Sequence, residues 1–145
     1  MKKGFTLMEL IIVVVIIGIL AMVGLPQFFR VAERGRSAEA VAALGALRSA
    51  QLRFAAETNL TATAANQLDM DVPGLTAGAP ALRFFNITMP AAAVNPNTNQ
   101  AAVMGTATRN GLSNSYGAYA LSIAANGTFT CAGGQNNICD LVRPK

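Results

Sequence analysis

At 145 residues the chain has room for one domain and an appendage, with 52% apolar residues and only 12% charged ones. It contains no His and no Trp, and its only thiols are Cys131 and Cys139; zinc clusters, histidine acid-base catalysis and Cys-His nucleophiles are thereby excluded, and an enzyme is not expected. The formal charge of +4 drops to +2 without Lys2 and Lys3, which gives no reason to expect nucleic acid as a partner.

Long aliphatic side chains crowd into the first thirty positions. From Leu10 to Leu25 no side chain is polar, and with Phe5 to Glu9 the stretch reaches 21 residues before Pro26. As a helix this is about 30 Å long, enough to cross the hydrocarbon of a bilayer. A secretory signal peptide would be shorter and would end at a small-x-small cleavage site, for which Ala21-Met-Val-Gly24 is a poor match. A plain single-pass anchor accounts for the length and for the flanking Lys2, Lys3 and Arg30, but not for Glu9. A carboxylate in a spanning helix costs of order a few kcal/mol, less near the helix end, and calls for a partner unless it sits solvated at headgroup level. Gly18, Gly24 and Pro26 each weaken helix hydrogen bonding or propensity and permit bending or local melting; the plainer reading is that spanning helices often contain such residues. Arg30, Arg34 and Arg36 lie beyond the other end of the run, so the positive-inside rule does not fix the topology.

The run Lys2-Lys-Gly-Phe-Thr-Leu-Met-Glu-Leu10, followed by the aliphatic segment and Gly24-Leu-Pro-Gln27, resembles the start of type IV prepilins and their type II secretion pseudopilin relatives. The resemblance covers roughly the first 55 residues. It implies that a prepilin peptidase cuts between Gly4 and Phe5 and methylates the new amino terminus at Phe5, so that the apolar helix is kept. It also implies a partner for Glu9, the amino-terminal charge of Phe5 in a neighbouring subunit. Such a pair attracts strongly in a low dielectric but must be desolvated, so it serves register more than stability. Near Pro26 the resemblance implies a helix that loosens when subunits leave the membrane for the fibre.

From Val31 to about Thr58 no proline intervenes and alanine is abundant, so the helix is expected to continue. Val41, Leu44, Leu47, Leu52 and Phe54 gather on one side at 100° per residue, with Glu39, Arg53 and Glu57 on the other. Thr61 to Pro80 reads as a connecting loop with a short helical turn and a Pro73-Gly74 turn signal. Ala81 to Met89 reads as a strand, Ala102 to Arg109 as a second, and Tyr116 to Ala125 as a third, with Tyr119, Leu121 and Ile123 in phase. Asn126-Gly127 predicts a two-residue hairpin turn returning through Thr128 to Cys131. The expected fold class is α+β, a long amino-terminal helix packed on a small antiparallel sheet of three to four strands, which is the pilin fold. The expected organisation is a leader at 1–4, a transmembrane or filament-core helix at 5–29, its amphipathic continuation at 30–59 and a head at 60–145.

Cys131 and Cys139 enclose seven residues dominated by Gly, Gln and Asn. A disulfide would close that loop and stabilise the fold by roughly 2 to 3 kcal/mol in the loop-entropy model; two free thiols are the alternative. Many type IV pilins staple this region, so the resemblance implies the pair. Secretion relatives commonly hold calcium in their carboxyl-terminal loops, yet Val72 to Cys139 contains no Asp or Glu. That gap favours the structural subunit of a type IV pilus over the major pseudopilin of a secretion system. A minor pilin acting in adhesion or DNA uptake is a further alternative, but Arg83 and Arg109 alone make no basic stripe. Asp69 and Asp71 read as a solvated turn, so no metal or other cofactor is expected, and the sequons at Asn59, Asn86 and Asn126 match no more often than chance allows. The partners implied by the resemblance are copies of the chain in a helical filament, the inner membrane before assembly, the prepilin peptidase, and the assembly platform with its ATPase.

Overall fold

The computed structural model describes residues 4–75, 81–110, 116–135, 137–142 and 144; Lys2 and Lys3 lie outside them. Its first element is the helix α1 (Leu7–Thr58), which runs unbroken through Gly18, Gly24 and Pro26. It stops where Asn59 takes a positive φ of 59° and donates its N–H to the Ala55 carbonyl at 2.9 Å. A left-handed residue just past the last turn satisfies a carbonyl that would otherwise be left open, and Asn is one of the few non-glycine residues that takes this role readily.

The chain divides into two compact units, Met1–Arg34 and Gly35–Lys145. In the second unit the buried face of α1 is carried by Ser37, Ala40, Ala43, Leu44, Leu47, Ala50, Gln51 and Ala55. The expected apolar stripe is therefore only half right. Leu44 and Leu47 are fully buried, whereas Val41, Leu52 and Phe54 are half-buried at its margins. Alanines fill half of the stripe, because a helix lying close to a sheet has little room for longer side chains. Gly105 marks the closest approach: a Cβ built there would lie 2.3 Å from Leu47 Cδ2.

Among the described residues four antiparallel strands follow in simple meander order, β1 (Phe85–Thr88), β2 (Val103–Arg109), β3 (Tyr119–Ala124) and β4 (Phe129–Gly133). The α+β expectation holds, with the larger of the expected strand numbers. Alternation directs Phe85, Ile87, Ala107, Tyr119, Leu121 and Ile123 into one cluster with Ala40, Ala43, Leu44 and Leu47 of α1, and Met104 joins them where the register shifts between Val103 and Gly105. Phe85 and Tyr119 meet edge to face, their ring centroids 5.9 Å apart. Each large side chain so buried contributes about 1.5–3 kcal/mol. The fully buried Gln51 ties α1 to the following loop, its amide donating to the Ala62 carbonyl at 2.9 Å and accepting from the Ala62 N–H at 2.7 Å.

Three local expectations need correction. The first strand is shorter than Ala81–Met89, because its partner β2 ends at Arg109 opposite Phe85, and Pro90 has no N–H to extend the ladder. The hairpin between β3 and β4 closes over three residues, not two. Ala124 donates to the Thr128 carbonyl at 3.0 Å, Gly127 donates to the Ala124 carbonyl at 2.9 Å, and only Gly127 has a positive φ, 87°. This is a type I turn completed by a left-handed glycine; a two-residue type I′ turn would need Asn126 left-handed as well. Finally, the carboxyl-terminal region contains a short helix, α2 (Ile138–Val142), whose Ile138 and Val142 are buried in the core cluster. The Pro73-Gly74 turn signal is met: Leu75 donates to the Val72 carbonyl at 3.0 Å, and Gly74 has the positive φ that the third position of a type II turn requires. A 3-10 turn at Ala65–Gln67 supplies the short helical turn expected in that loop.

Candidate functional site

Nineteen large apolar side chains between Phe5 and Val31 are exposed, among them Phe5 at 83% and Met22 at 81%. Soluble surfaces rarely carry a contiguous apolar patch of more than a few hundred Å², so a whole helix of this kind marks contact with lipid or with other protein. No window of the segment is buried within the chain, and its length and composition are sufficient to cross a membrane. Phe28 and Phe29 lie edge to face with centroids 6.1 Å apart.

The start of α1 is organised by Thr6 and Glu9. Glu9 Oε2 accepts from the Thr6 N–H at 3.0 Å and from Thr6 Oγ1 at 2.9 Å, while the Glu9 N–H donates to Thr6 Oγ1 at 3.2 Å. This is a capping box, in which residues three apart satisfy each other's open donors at a helix start. A carboxylate there also lies at the positive end of the helix dipole. The Thr-x-x-Glu spacing was available in the sequence as the signal for it. Phe5 precedes this cap and is exposed, and a Cβ built on Gly4 would meet nothing within 4 Å. Gly18 and Gly24 are equally open. The packing of the chain on itself therefore requires glycine at none of these three positions.

Cys131 on β4 and Cys139 on α2 are joined in a disulfide with their Cα atoms 5.4 Å apart. The bond fixes the short helix to the edge strand, and Gly133 and Gly134, both with φ of 79°, make the bend between them. A Cβ on Gly133 would lie 2.9 Å from the Ala118 carbonyl oxygen, so the close backbone pairing there depends on glycine.

Elsewhere on the head, Arg53 grips Asp69 through two hydrogen bonds, Nε to Oδ2 at 2.6 Å and Nη2 to Oδ1 at 2.8 Å. The hydrogen bonds from Arg53 hold the Asp69 carboxyl below its ordinary value. The Asp69 and Asp71 pair is thus no open carboxylate turn, since one member is already engaged. Arg36, Arg83 and Arg109 all approach the Phe84 ring, at 4.9, 5.4 and 5.1 Å from its centroid. Arg109 is buried and donates to the carbonyls of Phe84 and Asn110, so it is a packing residue at the end of β2 and not part of a basic surface. Arg48 also has an internal task, donating Nε and Nη2 to the Ala125 carbonyl at 3.0 and 2.7 Å. Sequence periodicity gave no sign of either role, because the Phe84 and Ala125 carbonyls that they reach are distant in the chain.

Residues 1–25 match the family described as the Prokaryotic N-terminal methylation motif. The chain is similar to the type IV major pilin protein PilA of Myxococcus xanthus, 44% identical over 67 residues that cover 46% of this chain and 30% of that protein. It is 49% identical over 49 residues to a fimbrial protein of Pseudomonas aeruginosa, covering 34% of this chain and 32% of that one. With fimbrial protein Q of Moraxella bovis it shares 37% identity over 82 residues, 55% of this chain and 52% of that protein. The chain thus spans between 30% and 52% of the length of these curated relatives. No solved structure matches it significantly. The matched methylation motif thus lies at the start of a long helix that is followed by a four-stranded antiparallel sheet. Several of the relatives that it resembles are type IV major pilins or fimbrial proteins.

Proposed function

We propose that the chain is the structural subunit of a type IV pilus. It enters the inner membrane as a prepilin, loses residues 1–4 to the prepilin peptidase, is methylated at Phe5, and polymerises through the helix at 5–29. The amphipathic continuation at 30–59 and the head at 60–145 then form the rest of the subunit. The observation that carries this reading is the helix with nineteen uncovered apolar side chains behind a methylation motif. Exchanging lipid for other copies keeps that surface out of water in both states, which is what a subunit that moves from membrane to fibre needs. The open space around Gly4 supports the cleavage assignment, since a glycine that the fold does not require is free to serve recognition by an external enzyme. Glu9, held at the helix start by Thr6, is the residue assigned to register with the Phe5 amine of a neighbour, and Gly18, Gly24 and Pro26 are the positions assigned to local loosening during assembly. The assembly platform and its ATPase are the remaining partners, and no catalytic role is assigned to the chain.

Electron microscopy of material sheared from cells with and without the protein tests the reading. Fibres should be present in the first sample and missing from the second. A secretion defect with fibres intact would instead assign the chain to a pseudopilus.

A further inference from the structure

The methionines of the head, Met70, Met89 and Met104, differ sharply in access. Met104 is fully buried and Met89 is half-buried against the core cluster, whereas Met70 is 37% exposed. A cavity of about 600 Å³ opens beside it, with Leu68, Asp69, Asp71 and Leu75 in its lining together with Met70 itself, so a small solute can reach the thioether from water. The sulfur also has a cationic donor against it. Arg53 Nη2 donates to Met70 Sδ at 3.0 Å, while the same guanidinium donates Nε to Asp69 Oδ2 at 2.6 Å and Nη2 to Asp69 Oδ1 at 2.8 Å. The two N–H groups of Nη2 are thus divided between a carboxylate and a sulfur atom. A thioether is a weak acceptor, so a charged donor is poorly matched to it. The match becomes good once the sulfur carries an oxygen, because a sulfoxide is polar and presents that oxygen as its acceptor.

We infer that Met70 is a modification site at which a hydroperoxide converts the thioether to its sulfoxide and Arg53 holds the new oxygen. A sulfur lone pair attacks the terminal peroxide oxygen, and the S–O bond forms as the O–O bond breaks. Sulfur gives up two electrons and the peroxide takes them; the hydroperoxide proton moves to the departing oxygen, which leaves as water or an alcohol. Arg53 stays protonated throughout, and its charge beside the sulfur favours the negative charge that builds on the departing oxygen. Methionine has three rotatable bonds, so the new oxygen can turn to the N–H that now meets sulfur. A sulfoxide in a core disrupts packing, as it would at the fully buried Met104. At Met70 the oxygen instead gains a charge-assisted hydrogen bond, and the loop stays joined to the end of α1 through Met70 as well as Asp69. Oxidant is therefore consumed at the surface of the head, at a site that enzymatic reduction of the sulfoxide restores.

The test treats the full chain in detergent with dilute hydrogen peroxide, maps oxygen uptake by peptide mass spectrometry, and follows hydrogen exchange of the Arg53 guanidinium by NMR. Met70 should gain one oxygen at least about five-fold faster than Met89 or Met104, in line with access to the sulfur. Exchange at Arg53 should slow by at least about three-fold as the oxygen arrives, because a strong acceptor replaces a weak one. A methionine sulfoxide reductase should reverse both changes. Met70→Leu leaves Arg53 paired with Asp69 and should show no change at Arg53 under peroxide. A Met70 that oxidises no faster than Met89 overturns the proposal. A Met70 that oxidises first while Arg53 exchanges as before, or faster, also overturns it, since that result marks an exposed methionine with no group to receive its oxygen. Slowed exchange at Arg53 in peroxide-treated Met70→Leu would overturn it as well, by placing the effect at another residue.

Discussion

Thr6 and Glu9 cap the helix reciprocally, the carboxylate accepting two hydrogen bonds from Thr6 at 3.0 and 2.9 Å while its own N–H donates to the threonine hydroxyl at 3.2 Å. Glu9 is therefore already oriented before any neighbour arrives, one turn from the position where cleavage would leave the Phe5 amine. Removing its charge should block assembly more severely than removing the residue that orients it. Glu9→Gln is expected to reduce sheared filament at least ten-fold with unchanged protein in the membrane, since it removes the charge proposed to pair with the Phe5 amine of a neighbour. Thr6→Val should give a smaller loss, in line with the roughly 0.5–2 kcal/mol of a helix cap. Immunoblots of the sheared and membrane fractions measure both. A Thr6→Val loss equal to that of Glu9→Gln would show that the cap and not the charge is what assembly needs.

Gly105 should tolerate no side chain without a loss of stability. Its ideal Cβ position is 2.3 Å from Leu47 Cδ2 and 3.5 Å from Leu44 Cδ2, both on fully buried residues. Gly105→Val is expected to destabilise the head by about 1–3 kcal/mol through overpacking. Gly45, where a Cβ meets nothing within 4 Å, should accept alanine with a small gain in helix stability of up to about 1 kcal/mol. Thermal unfolding of the two variants beside the parent checks both signs.

The Arg53 and Asp69 pair gives a pH dependence of defined direction. Hydrogen bonding to Arg53 depresses the Asp69 pKa in the folded state, so its contribution to stability is complete above the unfolded carboxylate value and is lost as pH falls through the folded one. Both side chains are about half exposed, so the effect on stability is small and is screened by salt. In an NMR titration the Asp69 carboxyl should titrate below an ordinary aspartate, and Arg53→Ala should move it back up. An Asp69 that titrates at the same pH in both proteins contradicts the assignment.

The apolar segment, the alternating third strand and the α+β class were legible because each is written in a local period or in an uninterrupted run. What sequence missed depends on partners distant in the chain or on available space. Val41, Leu52 and Phe54 looked like core residues by hydrophobicity, yet the helix meets the sheet at Gly105 through Leu44 and Leu47, with Ala40 and Ala43 in the same cluster. The type I turn at Asn126-Gly127 and the start of β1 at Phe85 were set by neighbouring-strand register, to which a single segment gives no access. Helix α2 is only five residues long, too short for a periodic signal, and it packs through Ile138 and Val142 under the disulfide. At the candidate site, the need of Glu9 for a partner was legible from its charge, and its nearer partner Thr6 is written in the Thr-x-x-Glu spacing of a capping box.

The central claim is that the exposed helix is retained in the finished subunit and becomes its means of assembly. Intact-mass and amino-terminal sequencing of protein taken from purified filaments tests it most directly. The account predicts a chain that begins at Phe5, carries one methyl group on its amine, and still contains everything through Pro26. A filament protein that begins beyond Pro26, with the apolar helix discarded, would contradict it.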